Sequence, residues 1–210
     1  MNLKRIAIIA ALVPVLAFAL AYREATSFTF KDPKGVNVIR FTLDGRLEQL
    51  SGWTSGVSGD MTFDPADPTS LKGKVVVDAA TMEMSHANMT GHMKSELWLD
   101  VAKHPTITFE SKKVANVKKL DGPDPAWTMD VTGDFTLKGV TKSITVPVKV
   151  THLPGQLVRR NRGPGDVTVV RSSFSFNRRE YGVEGNQHVD IVADEVQVSF
   201  SIGAFAPQTP

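Results

Sequence analysis

The chain of 210 residues contains no cysteine. No disulfide, thiolate nucleophile or cysteine-ligated metal can therefore be part of its chemistry. An oxidising compartment is tolerated but not exploited, and core burial alone must hold the fold, which a chain of this length can manage. An excess of charge is also missing. Removing residues 1–21 takes away Lys4 and Arg5 and no acid, leaving 22 basic against 22 acidic residues, so the electrostatic motive for a nucleic-acid partner disappears. The five histidines are His86, His92, His104, His152 and His188. No two have the i, i+4 helix spacing or i, i+2 strand spacing that brings two imidazoles to one metal, so scattered, partly exposed rings are expected and no metal. No glycine loop precedes a helix to cradle phosphate, and Ser51, Ser55 and Ser58, each followed by glycine, are not in a G-x-S-x-G elbow. Those glycines let strands bend or bulge. The acidic pairs Asp64/Asp67 and Asp121/Asp124 fall in proline-rich turns and read as solvated carboxylates, not as a glycosidase pair.

What is present begins with a processing signal. Lys4 and Arg5 precede an apolar run over 6–16, and small residues follow, with cleavage expected near Ala19 or Ala21. The alternative is an uncleaved anchor, which Pro14 and the short run disfavour. A periplasmic or secreted location is expected for the mature chain.

The rest is mainly β by period two. Val196, Val198, Phe200 and Ile202 face one way and Gln197, Ser199 and Ser201 the other. Ile144, Val146, Val148 and Val150 alternate with Thr145, Pro147 and Lys149; Pro147 cannot donate to a ladder, which predicts an edge or a bulge there. Met129, Val131, Gly133, Phe135 and Leu137 form a third set, and Lys138 with Gly139 turns it into a hairpin. Further strands are expected at 36–43, 56–63, 71–77, 106–114, 166–177 and 187–193, separated by breakers at 64–68, 121–125 and 159–165. This predicts one antiparallel sandwich or barrel domain over 22–203, with a frayed tail at 204–210. With one apolar face per strand, a closed sheet either fills its interior or encloses an apolar ligand, and a filled interior is the default for a small barrel.

Only 80–100 looks helical. Met89, Met93, Leu97 and Val101 recur every four residues, and the pattern stops at His104 and Pro105. Met82 and Met84 add to a methionine cluster. Such a stripe is usually core, yet methionine also adapts to ligands of variable shape. Arg159, Arg160 and Arg162 form a basic loop that could meet anionic lipid or phosphate, although such a run is more often solvated. Arg178 and Arg179 follow the alternating Phe174 and Phe176, placing cations at the end of an inward-facing apolar strand.

Several segments resemble the YceI-like family of polyisoprenoid-binding proteins. These are His92 to Ser95, Trp98 to Asp100 and His104 to Ser111; Ser58 and Gly59 with Phe63, Asp64 and Pro65; Gly133 to Lys142; Phe176 to Gly182; and Asp194 to Val196. They occur in the family's order across 28–202. The resemblance implies an all-β, antiparallel, lipocalin-like barrel with one short helical segment near 80–100. It also implies a long hydrophobic channel for an isoprenoid chain, no catalysis, no metal or cofactor other than bound lipid, and frequent homodimers. Departures are Met89 and Thr90 where relatives carry Arg-Asp, Asp44 in place of a histidine, and Trp53 and Trp98 in place of phenylalanine, which predicts a narrower or shorter channel. On this basis Phe41, Ile107, Phe109, Phe135, Leu137, Phe174 and Phe176 are expected to line the channel. Met89, Met93 and Trp98 would close it, and His92, Asn177 and Arg178 would stand at its mouth. The expected partner is an isoprenoid-type lipid, polyprenyl or quinone, with transient membrane contact. A structural barrel with a filled interior and, less favoured, a lipid-acting hydrolase are the alternatives.

Overall fold

A computed structural model describes residues 25–32, 34–160, 162–184 and 192–208. The predicted signal at 1–21, His188 and most of the strand predicted at 187–193 lie outside the described residues. Strand alternation is plainest in Ala126–Leu137 (β8), where Trp127, Met129, Val131, Gly133, Phe135 and Leu137 are buried and the residues between them are half-exposed. Branched and aromatic side chains on one face and threonine and aspartate on the other can be satisfied together only on a sheet with one dry side.

The sheet is an antiparallel meander closed on itself. Thr26–Thr29 (β1) and Val38–Gly45 (β2) occupy one wall position, and Gln49–Thr54 (β3) and Val57–Asp64 (β4) the next. Asp67–Asp78 (β5), Thr106–Leu120 (β7), β8, Val140–Leu153 (β9), Gly165–Asn177 (β10) and Val192–Pro207 (β11) complete eight positions. Closure comes from β11 pairing with β2 along Ser201↔Val38 to Val192↔Gly45 and with β1 at Phe205↔Thr29. A two-residue strand, Glu83–Met84 (β6), pairs with β3.

The wall is not hydrogen-bonded throughout. The β9–β10 ladder runs from Leu153↔Val167 to Val148↔Ser172, and both strands then continue without pairing to each other. Pro147 sits one residue past the last pair, so its missing N–H costs nothing, while its β8 register with Asp130 is unbroken. Of the expected edge or bulge, the structure has the edge, confined to the stretch past the end of the β9–β10 ladder. The Ser172 hydroxyl donates to the Pro147 carbonyl at 2.7 Å, below which the opening is filled by rings. Phe135, Phe174, Phe176 and Tyr181 meet edge to face, with centroids 5.2–6.3 Å apart.

Two expectations are corrected here. The tail at 204–206 is not frayed. Ala204, Phe205 and Ala206 are almost fully buried and paired in β11. Phe205 faces outward, but Leu157 of the 3₁₀ turn Gln156–Arg160 covers it, and the Arg160 and Arg162 guanidinium groups lie 5.3 and 4.8 Å from its ring centre. Arg160 also pairs with Asp32 at 2.9 Å, so two of the loop's three cations help cover Phe205. The helix is shorter than its apolar period suggested. It spans Ala87–Lys94 (α1), and Ser95 ends it by donating both N–H and hydroxyl to the His92 carbonyl. Leu97 and Val101 therefore lie in the following turns, not on the helix face of Met89 and Met93.

Candidate functional site

In an antiparallel meander, alternate connections share one end. The β2–β3 turn, the long segment 79–105, the β8–β9 turn and the crossing from β10 to β11 therefore meet at the same end of the barrel. The segment 79–105 folds over that end as a flap. β6 pairs Met84 with Gly52 and Glu83 with Trp53. The Thr90 hydroxyl accepts from the Met84 N–H at 2.9 Å and donates to the His86 carbonyl, tying α1 to β6. The Lys94 ammonium donates to the Ala80 carbonyl at 2.6 Å. Gly52 is required for this approach, since a Cβ there would collide with the Phe41 ring and the Glu83 carbonyl. Close packing, not a bulge, explains that glycine. Glu96 and then Asp100 hold the Lys103 ammonium above its usual pKa, closing the flap's outer turn. Thr90→Val should leave the Met84 N–H without its partner and cost about 1 kcal/mol, read as faster amide exchange of Met84 with global unfolding little changed.

Beneath the flap lies a cavity of about 740 Å³. Its wall is almost entirely apolar, drawing Phe41 and Leu43 from β2, Val75 and Val77 from β5, Ile107 and Phe109 from β7, Phe135 and Leu137 from β8, Phe174 and Phe176 from β10, and Val196, Val198 and Phe200 from β11. The flap contributes Met82, Met84, Met89, Met93 and Trp98. Phe28, Phe63, Trp127 and His152 do not border the cavity but pack together in the core, with ring centres 5.5–6.4 Å apart. His152 is buried, bonded to Thr168 at 3.2 Å, and is thus core and not the partly exposed ring expected. The interior is hollow, in contrast to the filled barrel taken as the default.

Every predicted lining or mouth residue except Asn177 borders this cavity. Asn177 is exposed and accepts from the Arg179 N–H at 2.9 Å, capping the 3₁₀ turn Arg178–Tyr181. Trp53 points to solvent, so only Trp98 of the two unusual tryptophans shapes the channel. Arg178 reaches the cavity wall but is not free to meet a headgroup. Its side chain is 2% exposed. It donates to the carbonyls of Val183, Glu184, Val192 and Ala193 at 2.7–3.3 Å, and lies 3.1 Å from Asp194 and 5.2 Å from the Trp98 ring centre. Burial lowers its pKa, and Asp194 opposes that shift. Sequence reasoning placed this cation correctly but could not foresee its engagement, because its acceptors are backbone groups.

Tyr181 was not predicted. Burial, and secondarily Glu180, raises its pKa, and among the described residues its buried hydroxyl has no hydrogen-bond partner. A raised folded pKa means stability is intact below the unfolded value of about 10 and is lost as pH rises from there through the folded value. Tyr181→Phe should therefore stabilise the protein by about 1–2 kcal/mol at neutral pH and remove this alkaline loss, as urea titrations at several pH values would show.

These features define a class: a closed, antiparallel, lipocalin-like β-barrel with a flap-covered apolar cavity. A family model described as the YceI-like domain matches residues 26–204, and the chain belongs to that family. A UPF0312 protein of Pseudomonas aeruginosa is 39% identical over 101 residues, 48% of this chain and 49% of its own length. Protein YceI of Escherichia coli is 37% identical over 101 residues, again 48% and 49%. The chain thus spans about half the length of the curated relatives it matches. Among solved structures, BcnA of Burkholderia cenocepacia has a TM-score of 0.65 at 22% identity, covering 80% of this chain and 95% of that one. A polyisoprenoid binding domain from Saccharophagus degradans has a TM-score of 0.63 at 14% identity, covering 88% and 100%. At these identities the likeness is one of fold.

Proposed function

We propose that this protein binds and carries a long-chain isoprenoid-type lipid, polyprenyl or quinone, without chemical conversion, in the periplasm after removal of residues 1–21. The observation that carries the proposal is the hollow interior of about 740 Å³ with an almost wholly apolar wall. Such a volume is unfavourable to leave empty and offers water few partners, so an apolar ligand is its natural occupant. Each buried methylene contributes about 0.8 kcal/mol, which permits tight binding without polar specificity. The flexible methionines of the flap suit a chain entering by its end. A polyisoprenoid binding domain is also among the proteins of similar fold, which supports the same ligand class. Among the described residues, no hydrogen bond joins the His92 ring at the mouth to a serine or carboxylate, so a hydrolase reading has no dyad to build on.

The test is native mass spectrometry of delipidated protein after exposure to an isoprenoid quinone and a polyprenol. A one-to-one adduct that survives dilution is expected. Absence of an adduct with both would overturn the reading.

A further inference from the structure

Leu47, in the β2–β3 turn, is 87% exposed, and Leu97, in the flap, is 49% exposed. Isolated exposed leucines are ordinary on a soluble protein. These two are different because both also line the cavity. Their side chains bound the ligand space on one side and solvent on the other, so they form two lips of its opening. Val140, 37% exposed, follows the β8–β9 turn at the same end of the barrel. Val158, 52% exposed, is equally apolar but stands in the connection at the opposite end and does not line this cavity.

The charges around the mouth are mixed and largely matched. Lys103 meets Glu96 at 2.7 Å, Lys142 meets Glu180 at 3.1 Å and Arg179 meets Asp194 at 2.6 Å. Arg46 and Glu48 flank Leu47 with opposite signs. Among the described residues this rim has no strong field to draw it to an anionic surface, and its apolar lips are continuous with an apolar interior. On the reading of the cavity as a lipid site, the cargo must move between a bilayer and the channel. Each methylene exposed to water on the way disfavours that passage about fourfold. A mouth in contact with the bilayer avoids the exposure.

We infer that the protein seats this mouth on a phospholipid bilayer, with Leu47 and Leu97 entering the interfacial region on either side of the cavity opening. Contact is apolar, transient and insensitive to salt. This inference rests on the lipid-carrier reading for its purpose but has its own readout.

The absence of cysteine makes single labels unambiguous. Leu47→Cys, Leu97→Cys and Val158→Cys, each in the full mature chain and carrying an environment-sensitive fluorophore, would be mixed with phosphatidylcholine vesicles. A blue shift and an emission increase are expected at 47 and 97 and not at 158, unchanged between about 0.1 and 0.5 M NaCl. No shift at either lip, or an equal shift at 158, would overturn the inference. A shift that requires anionic vesicles and vanishes with salt would overturn it too, in favour of a charged contact. As an unlabelled check, Leu47→Asp with Leu97→Asp should slow transfer of a fluorescent isoprenoid from vesicles at least tenfold more than it weakens binding of a soluble short-chain isoprenoid, while Val158→Asp should alter neither. Equal losses in transfer and binding would place the effect inside the cavity and refute seating. If the lips seat on vesicles and no isoprenoid adduct forms, the carrier reading fails and the seating stands.

Discussion

Replacing Arg178 by leucine should lower the unfolding free energy by about 3–5 kcal/mol, the cost of removing one partner from a buried, hydrogen-bonded charge. The side chain donates to four carbonyls, those of Val183 and Glu184 in the crossing from β10 to β11 and of Val192 and Ala193 at the start of β11. Leucine would remove those hydrogen bonds and leave Asp194 with one cation fewer, while Arg179 still held it at 2.6 Å. Lysine should recover less than half, because a single ammonium cannot reproduce a planar fork that reaches several carbonyls at once. Urea denaturation of the ligand-free protein measures this directly. A headgroup role makes the opposite prediction, a loss of ligand affinity with ligand-free stability intact. Stability within about 1 kcal/mol of the parent would refute the clamp.

Val75→Trp should abolish ligand binding at little cost to the fold. Val75 lines the cavity from the C-terminal part of β5, paired with Gly59 on one side and Phe109 on the other. Overpacking a dense core costs about 1–3 kcal/mol, but here the added ring has open volume to enter, so the penalty should fall at or below the bottom of that range. Displacing about four methylenes of a bound chain removes about 3 kcal/mol, more than a hundredfold in Kd. The adduct should disappear from native mass spectra while thermal unfolding stays cooperative. Retention of full affinity would show that the lipid does not use this part of the channel.

Much of the fold was legible because strand alternation is local. Met129 to Leu137 and Val196 to Ile202 announce their inward faces by period two, and both sets point inward in the barrel. Most of the predicted wall follows from the same alternation. The misses have long-range causes. Phe205 looked like part of a polar-ended tail, but Leu157, Arg160 and Arg162, more than forty residues earlier in the chain, cover it. The four-residue apolar period from Met89 to Val101 suggested one helix face, but Ser95 caps the helix early and sends Leu97 to the mouth. Asn177 sat beside the right residues in sequence, yet its side chain turns back to cap its own backbone.

The sequence by itself determined the class of fold, the family likeness, the inward set of aromatic and branched side chains and the exclusion of cysteine chemistry, since all of these depend on composition, alternation and local order. Only the tertiary structure decided that the interior is hollow, that Arg178 clamps backbone where it was expected to await a headgroup, and that two exposed leucines share the cavity's rim. The physical reason is that a cavity is the difference between the space a closed sheet encloses and the volume its side chains occupy. Strand stagger and curvature set that difference across eight wall positions, and no local pattern records it.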